Sequence, residues 1–152
     1  MDSSRPSWLA PSGSDGVALT PARPVSTIGR WWPALAWTGL IFAASSIPGS
    51  RFEDVGFEIP DKLVHGIEYA VLGFLVFTAA RGQGSSSGAR AFVIAVGWAL
   101  VTGIADENYQ RLTPLRDPSV ADWVADVVGA VVGAAIAWRT GFEGPWVRRR
   151  DR

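Results

Sequence analysis

One group of polar residues recurs at steps of four within an apolar stretch near the middle of the chain. Asp61, His65 and Tyr69 fall on one face of a predicted helix, because residues four apart in an α-helix lie one above the other. His65 is the only histidine, and its imidazole is the candidate general acid or base of any catalysis. Glu68 lies one step off this face, where an ionisable group in an apolar helix indicates either function or an ion pair within the protein.

Further polar residues follow in two later groups. The first closes the third predicted helix and the second opens the fourth, so a hairpin of these helices would bring them together. Carboxylates of this kind suit Mg²⁺ or Mn²⁺, which makes a divalent cation the one cofactor to consider. We predict a ligand site formed by Asp61, Lys62, His65, Tyr69, Asp106, Glu107, Gln110, Arg116, Asp122 and Asp126, with Asp106, Glu107 and Asp122 as candidate metal ligands.

The predicted site is strongly acidic. With Glu68 and Arg111 included, it holds six carboxylates and three cations. Because such an excess cannot persist near a low dielectric, it must be relieved by protonation, by a bound cation or by a cationic ligand. A structural interpretation also stands beside the functional one. Asp61 occupies a helix-capping position, and Ser119 with Asp122 forms a Ser-x-x-Asp capping pattern.

Four apolar stretches must position these residues. They run from Trp31 to Ile47, from Asp61 to Ala80, from about Ala91 to Tyr109, and from near Pro118 to Arg139. The first, third and fourth are apolar on all sides, which is typical of helices that face lipid. Each uninterrupted run is shorter than the roughly 20 residues of a full span, so a soluble bundle is the alternative. We predict an all-α fold, an antiparallel bundle of four transmembrane helices.

The rest of the chain flanks this predicted membrane domain, which covers residues 30–140. Residues 1–29, rich in Pro, Ser and Gly, lack the apolar side chains of a core and are predicted to form a disordered tail. Residues 82–88, mainly Gly and Ser, are predicted to be a flexible connector. Residues 141–152 form a basic tail.

Small and aromatic residues support the membrane interpretation. Ala125, Gly129, Gly133 and Ala137 form a line of small residues at steps of four, a spacing that predicts close contact with a neighbouring membrane helix. Trp31, Trp32 and Trp138 are predicted to lie at one membrane interface, and Trp123 with Tyr109 at the other. The chain has no cysteine, which excludes disulfides and thiolate metal sites.

Basic residues are distributed unevenly along the chain. Ten of the 14 Lys and Arg residues fall in the two tails and the middle connector, and four fall in the other two loops. The positive-inside rule therefore predicts a multi-pass protein of the cell membrane with both termini in the cytoplasm and the polar residues at the outer face. The formal net charge of zero gives no indication of nucleic-acid binding.

Three motifs, in this order and spacing, resemble those of the VanZ-like membrane proteins. They are Asp61-Lys62-x-x-His65-x-x-x-Tyr69, Asp106-Glu107-x-x-Gln110 and Arg116-x-x-Ser119-x-x-Asp122. Residues 42–48 also resemble the end of that family's first helix, and the likeness extends over about residues 31–139. The chain departs from the family at Asp126, where Asn is usual. The resemblance implies a bacterial cell-envelope protein linked to glycopeptide (teicoplanin-type) antibiotic resistance, and it implies no particular reaction.

The sequence is consistent with three functions. The first is a non-catalytic envelope protein that binds a lipid-linked cell-wall precursor or a glycopeptide antibiotic, with Lys62 and Arg116 holding phosphate or carboxylate above His65. The second is a metal-assisted hydrolase acting on a lipid phosphate, although no Gly-rich phosphate loop, Ser nucleophile motif or paired-histidine motif supports it. The third is proton-coupled transport by an oligomer.

Overall fold

The described part of the chain is entirely helical. The computed structural model describes residues 27–48, 60–82, 87–114, 116 and 119–142. Within these ranges there are four helices and no strand, which confirms the predicted all-α class; the helices are α1 (Thr27–Ser45), α2 (Asp61–Arg81), α3 (Gly88–Gln110) and α4 (Val120–Thr140). Most of the predicted N-terminal tail, the middle of the connector and most of the basic tail lie outside the described residues.

Local capping explains where α3 and α4 begin and where α4 ends. The Ser87 hydroxyl accepts a hydrogen bond from the backbone N–H of Arg90 at 3.2 Å, so α3 begins earlier than predicted. The Ser119 hydroxyl accepts from the backbone N–H of Asp122 at 3.1 Å, which confirms the predicted capping pattern. Gly141 follows α4 with a φ of 59°, a left-handed conformation that glycine adopts without strain.

Helix α1 departs most from its predicted bounds. It begins at Thr27, so residues 27–29 form its first turn rather than the end of a disordered tail. The guanidinium of Arg30 donates to the carbonyl of Gly82 just after α2, which fixes this first turn against its neighbour. The helix ends at Ser45, because Pro48 disfavours helical geometry at the residue before it.

Consecutive helices run in opposite directions. The contact of Arg30 with Gly82 joins the beginning of α1 to the end of α2. An ion pair between Lys62 and Asp122 joins the beginning of α2 to the beginning of α4. In the described part of the chain, α4 packs on α2 and α3, whereas α1 packs on α2 and α3 from the side. The four helices therefore form an antiparallel bundle whose tightest pair is α2 and α4.

Glycines allow α2 and α4 to pack backbone to backbone. A Cβ atom on Gly133 would overlap the carbonyl oxygen of Ala70, and one on Gly129 would overlap the carbonyl oxygen of Gly66. The close contact predicted from the line of small residues is thereby confirmed. This glycine seam brings the polar faces of α2 and α4 together at their N-terminal ends.

Three of the helices have the length and composition of membrane spans. Helices α2, α3 and α4 are each long and apolar enough to cross a bilayer. Helix α1 has 19 residues, but Arg30, Pro33 and its Trp side chains lower its mean hydropathy. The predicted membrane-protein character is therefore supported for α2, α3 and α4.

Candidate functional site

Polar side chains from three helices are buried at the end of the bundle where α2 and α4 begin and α3 ends. We call this group the polar cluster; it consists of His65, Tyr69, Asp106, Glu107, Gln110 and Asp126. Asp106 is 1% exposed and Asp126 is fully buried, a rare state for carboxylates. The other four predicted site residues surround the cluster, and we call them the rim; they are Asp61, Lys62, Arg116 and Asp122.

His65 and Asp126 connect α2 to α4 inside the polar cluster. Nδ1 of His65 lies 2.9 Å from Oδ1 of Asp126, and both side chains are buried. Tyr69 lies one turn further along α2 and is completely buried. The predicted face of α2 therefore points into the bundle, and its histidine has a carboxylate partner from the fourth helix.

A second set of hydrogen bonds connects α3 to α1. The Gln110 amide donates to Oδ2 of Asp106 at 3.1 Å and to the hydroxyl of Ser45 at 3.4 Å. The Thr113 hydroxyl donates to the carbonyl of Ser45 at 3.1 Å. Ser45 was missed as a site residue, although it lies within the stretch 42–48 that carries part of the family resemblance.

Glu107 connects the end of α3 to the beginning of α4. Its Oε2 atom accepts a hydrogen bond from the backbone N–H of Ser119 at 2.9 Å. The side chain is 9% exposed, so most of the carboxylate is removed from the surface. One oxygen thus holds the helix pair, and the other, Oε1, is buried without a hydrogen-bond partner among the described residues.

Several polar atoms of the cluster lack a hydrogen-bond partner within the described ranges. They are the Tyr69 hydroxyl, Oδ1 of Asp106, Oε1 of Glu107 and Oδ2 of Asp126. Leaving a buried polar atom unpaired costs about 1–3 kcal/mol, and more if the group is charged. Four such atoms at one end of a small bundle can accept or donate hydrogen bonds to a buried water, an ion or a ligand.

Asp122 has a structural role at the rim. Its Oδ1 atom lies 3.1 Å from Nζ of Lys62, and its Oδ2 atom accepts a hydrogen bond from the Ser119 hydroxyl at 2.7 Å. Both carboxylate oxygens are therefore occupied within the protein. Lys62 is largely exposed, so this ion pair adds little stability by itself.

Arg116 holds the end of α1. Its Nε atom donates to the carbonyl of Ile47 at 3.3 Å, and Nη2 donates to the carbonyl of Ala44 at 3.5 Å. Its Nη1 atom lies 4.0 Å from Oδ1 of the exposed Asp61. These contacts satisfy carbonyl groups at a helix end that have no partner within the helix.

A cavity of about 330 Å³ lies beside the polar cluster, between the end of α3 and the beginning of α4. Glu107 belongs to both the cavity and the polar cluster. The cavity is lined by Ile104, Glu107, Asn108, Arg111, Ser119, Val120 and Trp123. Of the ten predicted site residues only Glu107 lines it. Arg111 was counted among the charges of the predicted site but not among its ten ligand residues, although it lies four residues after Glu107 on the same helical face.

Three side chains of the polar cluster are arranged like metal ligands. His65, Glu107 and Asp126 each offer one ligand atom, and these atoms lie within 4.8 Å of one another. Of the three carboxylates predicted as metal ligands, only Glu107 belongs to this group. His65 and Asp126, which were predicted to belong to the ligand site, complete it.

No family model, curated protein or solved structure matches this chain. The VanZ-like resemblance of its motifs stays a prediction.

Proposed function

We propose that this chain is a VanZ-like bacterial cell-envelope protein that binds a phosphate-bearing lipid, such as a lipid-linked cell-wall precursor, at the outer end of four transmembrane helices. Its role is binding rather than catalysis. One observation carries the proposal: the cavity between α3 and α4 is lined by apolar side chains, by the exposed Arg111 and by Glu107. Glu107 also belongs to the polar cluster, so the cavity and the cluster are adjacent.

The lining of the cavity fits an amphiphilic ligand. Ile104, Val120 and Trp123 offer apolar surface for the beginning of a hydrocarbon chain. Arg111 offers a planar cation that pairs with phosphate through two N–H groups. The volume is at the lower end of the range for ligand pockets, about 300–1,000 Å³. It therefore suits a head group and the first part of a chain.

We expect Arg111 to bind the phosphate, in place of Lys62 and Arg116, which were predicted from the sequence to bind it. Both of those cations face other groups at the rim, since Lys62 pairs with Asp122 and Arg116 binds the end of α1. Arg111 is exposed at the cavity. An anionic head group would therefore meet Arg111 first.

Helix α1 completes the proposed set of four spans. A helix of 19 residues is about 28 Å long, close to the roughly 30 Å of a hydrocarbon core. Trp32, Leu35 and Leu40 are more than half exposed on its outer side, as expected of a surface that faces lipid. With four spans, the uneven distribution of Lys and Arg favours cytoplasmic termini and an outer polar cluster.

A metal-assisted hydrolase is the second candidate function. The contact of His65 with Asp126, beside Glu107, is the observation that favours it, because a histidine held by a carboxylate can move a proton during hydrolysis. Binding alone and hydrolysis differ in one measurable product. Hydrolysis releases phosphate from the lipid, and binding leaves the lipid intact.

The proposal is tested with the full chain purified in detergent. Its melting temperature is recorded during titration with a polyprenyl phosphate, a lipid-linked cell-wall precursor and a glycopeptide antibiotic, since a ligand that binds the folded state raises it. We expect the two lipids to raise it in a saturable way. Arg111→Ala should raise the dissociation constant about tenfold, equivalent to about 1.4 kcal/mol.

Arg139→Ala is the matched control. Arg139 is an exposed arginine in the last turn of α4, at the opposite end of the bundle, so its loss should leave affinity within about twofold. Absence of binding by both lipids would overturn the proposal, as would equal effects of the two arginine variants. Release of phosphate by wild type, lost in His65→Ala, would replace binding by hydrolysis.

A further inference from the structure

We infer that His65, Glu107 and Asp126 form a binding site for one divalent transition-metal ion of the Mn²⁺ or Zn²⁺ type. The three residues come from α2, α3 and α4, so the ion would join the three helices at the polar end of the bundle. The role of the ion in holding a lipid phosphate rests on the proposed function. Binding of the ion itself is independent of that proposal.

The separations of the ligand atoms fit a single ion. Ligands at about 2.1 Å from a metal are about 3.0 Å apart when they are adjacent and about 4.2 Å apart when they are opposite. Nδ1 of His65 and Oδ1 of Asp126 are 2.9 Å apart, the separation of adjacent ligands. With Glu107 included, all three ligand atoms lie within 4.8 Å of one another. Because 4.8 Å exceeds the separation of opposite ligands, binding of an ion would require the side chains to move closer together.

Unpaired carboxylate oxygens provide a second, independent observation. Asp126 is fully buried and its Oδ2 atom has no partner in the described part of the chain. Glu107 is 9% exposed, and the same holds for its Oε1 atom. Two carboxylates buried side by side need a positive charge nearby or must give up their own charge. A divalent ion supplies two positive charges in one place.

Two of the cations at this end of the bundle, Lys62 and Arg116, contact other groups, whereas Arg111 lies beside Glu107 in the cavity. Lys62 pairs with Asp122, and Arg116 contacts Asp61 and the carbonyls at the end of α1. Among the described residues, the ionisable side chain in hydrogen-bond contact with Asp126 is that of His65. A histidine that binds a metal ion is neutral, so the ion would then balance the negative charges of Glu107 and Asp126.

The backbone of α3 leaves space for the Asp126 carboxylate. A Cβ atom on Gly103 would lie 3.0 Å from Oδ2 of Asp126 and 2.9 Å from a ring carbon of Trp123. Glycine at this position thus allows the carboxylate to lie against α3, close to Glu107 on the next turn. A larger residue would push the carboxylate out of its place.

The donor set selects among divalent ions. One imidazole nitrogen with two carboxylates suits Mn²⁺ and Zn²⁺, whereas Ca²⁺ prefers six to eight oxygen ligands. The ligands fill three positions, so further positions on the ion stay open. A phosphate oxygen of a ligand in the adjacent cavity could occupy one of them, because Glu107 belongs to both sites.

Metal binding is tested on the full chain in detergent. The protein is stripped with a chelator, and binding of Mn²⁺ is followed by loss of the electron paramagnetic resonance signal of the free ion, with Zn²⁺ and Ca²⁺ as competitors. We expect one Mn²⁺ per chain, displaced by Zn²⁺ and not by Ca²⁺ at the same concentration. Asp126→Asn and Glu107→Gln should each raise the dissociation constant at least about tenfold.

Asp122→Asn is the matched control, because it removes a carboxylate charge at the same end of the bundle whose two oxygens contact Lys62 and Ser119 rather than the proposed ion. It should leave the affinity for Mn²⁺ within about twofold. Wild type that binds no Mn²⁺ or Zn²⁺ would overturn the inference, as would equal effects of Asp122→Asn and Glu107→Gln. If the lipid still binds in the presence of chelator, the ion does not help to hold the lipid phosphate, and the proposed lipid-binding function is unaffected.

Discussion

Nδ1 of His65 on α2 lies 2.9 Å from Oδ1 of Asp126 on α4, and both side chains are buried. The two residues are separated by 61 positions in the sequence. Their contact therefore depends on the tertiary packing of two helices and not on local structure. The same packing places both residues beside Glu107, so the stability of the helix pair and the geometry of the site are linked.

The first prediction concerns this pair. His65→Ala and Asp126→Ala should each destabilise the protein, because each leaves a buried polar group without its partner. A double-mutant cycle should give a coupling energy of about 1–3 kcal/mol. The measurement is reversible unfolding in mixed detergent, made without added metal. Additive effects of the two substitutions would show that the pair contributes no coupling.

The second prediction concerns the glycine seam. Gly133→Ala places a methyl group where the carbonyl oxygen of Ala70 lies, so we expect a loss of about 1–3 kcal/mol. Gly97→Ala is the matched control, because a Cβ there has no neighbour within 4 Å. The control should be neutral or stabilising by up to about 1 kcal/mol, since alanine favours helix. Equal melting temperatures of the two variants would contradict the close packing of α2 on α4.

The third prediction concerns the attachment of α1. The Trp37 indole N–H donates to the carbonyl of Glu68 at 2.8 Å, which joins α1 to α2. Trp37→Phe keeps an aromatic ring but removes this donor, so stability should fall by about 1 kcal/mol. Trp32→Phe, at a position 58% exposed, should change stability by less than about 0.5 kcal/mol. A smaller loss of stability for Trp37→Phe than for Trp32→Phe would show that this hydrogen bond does not stabilise the attachment of α1.

The fourth prediction concerns the orientation in the membrane. The chain has no cysteine, so a single cysteine introduced at any position is the only thiol. In intact spheroplasts, a membrane-impermeant maleimide should label Arg116→Cys and leave Arg139→Cys unlabelled. Lysis should make both sites reactive. Labelling of Arg139→Cys before lysis would place the C-terminal end of α4 outside and contradict the proposed topology.

Much of the fold could be predicted because it depends on local sequence. The apolar stretches give the helices, and Ser119 with Asp122 gives the beginning of α4. The line of small residues in α4 gives its tight contact with α2. The alternating direction of α2, α3 and α4 then follows from the short connections between them, and it brings the predicted polar residues to one end.

The details of the site could not be predicted, because they depend on how side chains pair across helices. The sequence predicted Asp106 and Asp122 as metal ligands and Asp126 only as part of the ligand site. In the structure, the oxygens of Asp122 contact the Ser119 hydroxyl and Nζ of Lys62, whereas Oδ2 of Asp126 has no partner among the described residues. The cavity beside Arg111 also depends on the separation of α3 from α4, which no sequence pattern gives.

The separation of His65 from Asp126 also has a consequence for biosynthesis. A ribosome adds about 5–20 residues per second, so His65 is made roughly 3–12 s before Asp126. During that interval the polar face of α2 has no partner from α4, and a polar face alone in lipid is unfavourable. Stable integration of α2 would therefore wait for α4, and the two helices would leave the translocation machinery for the bilayer as a pair.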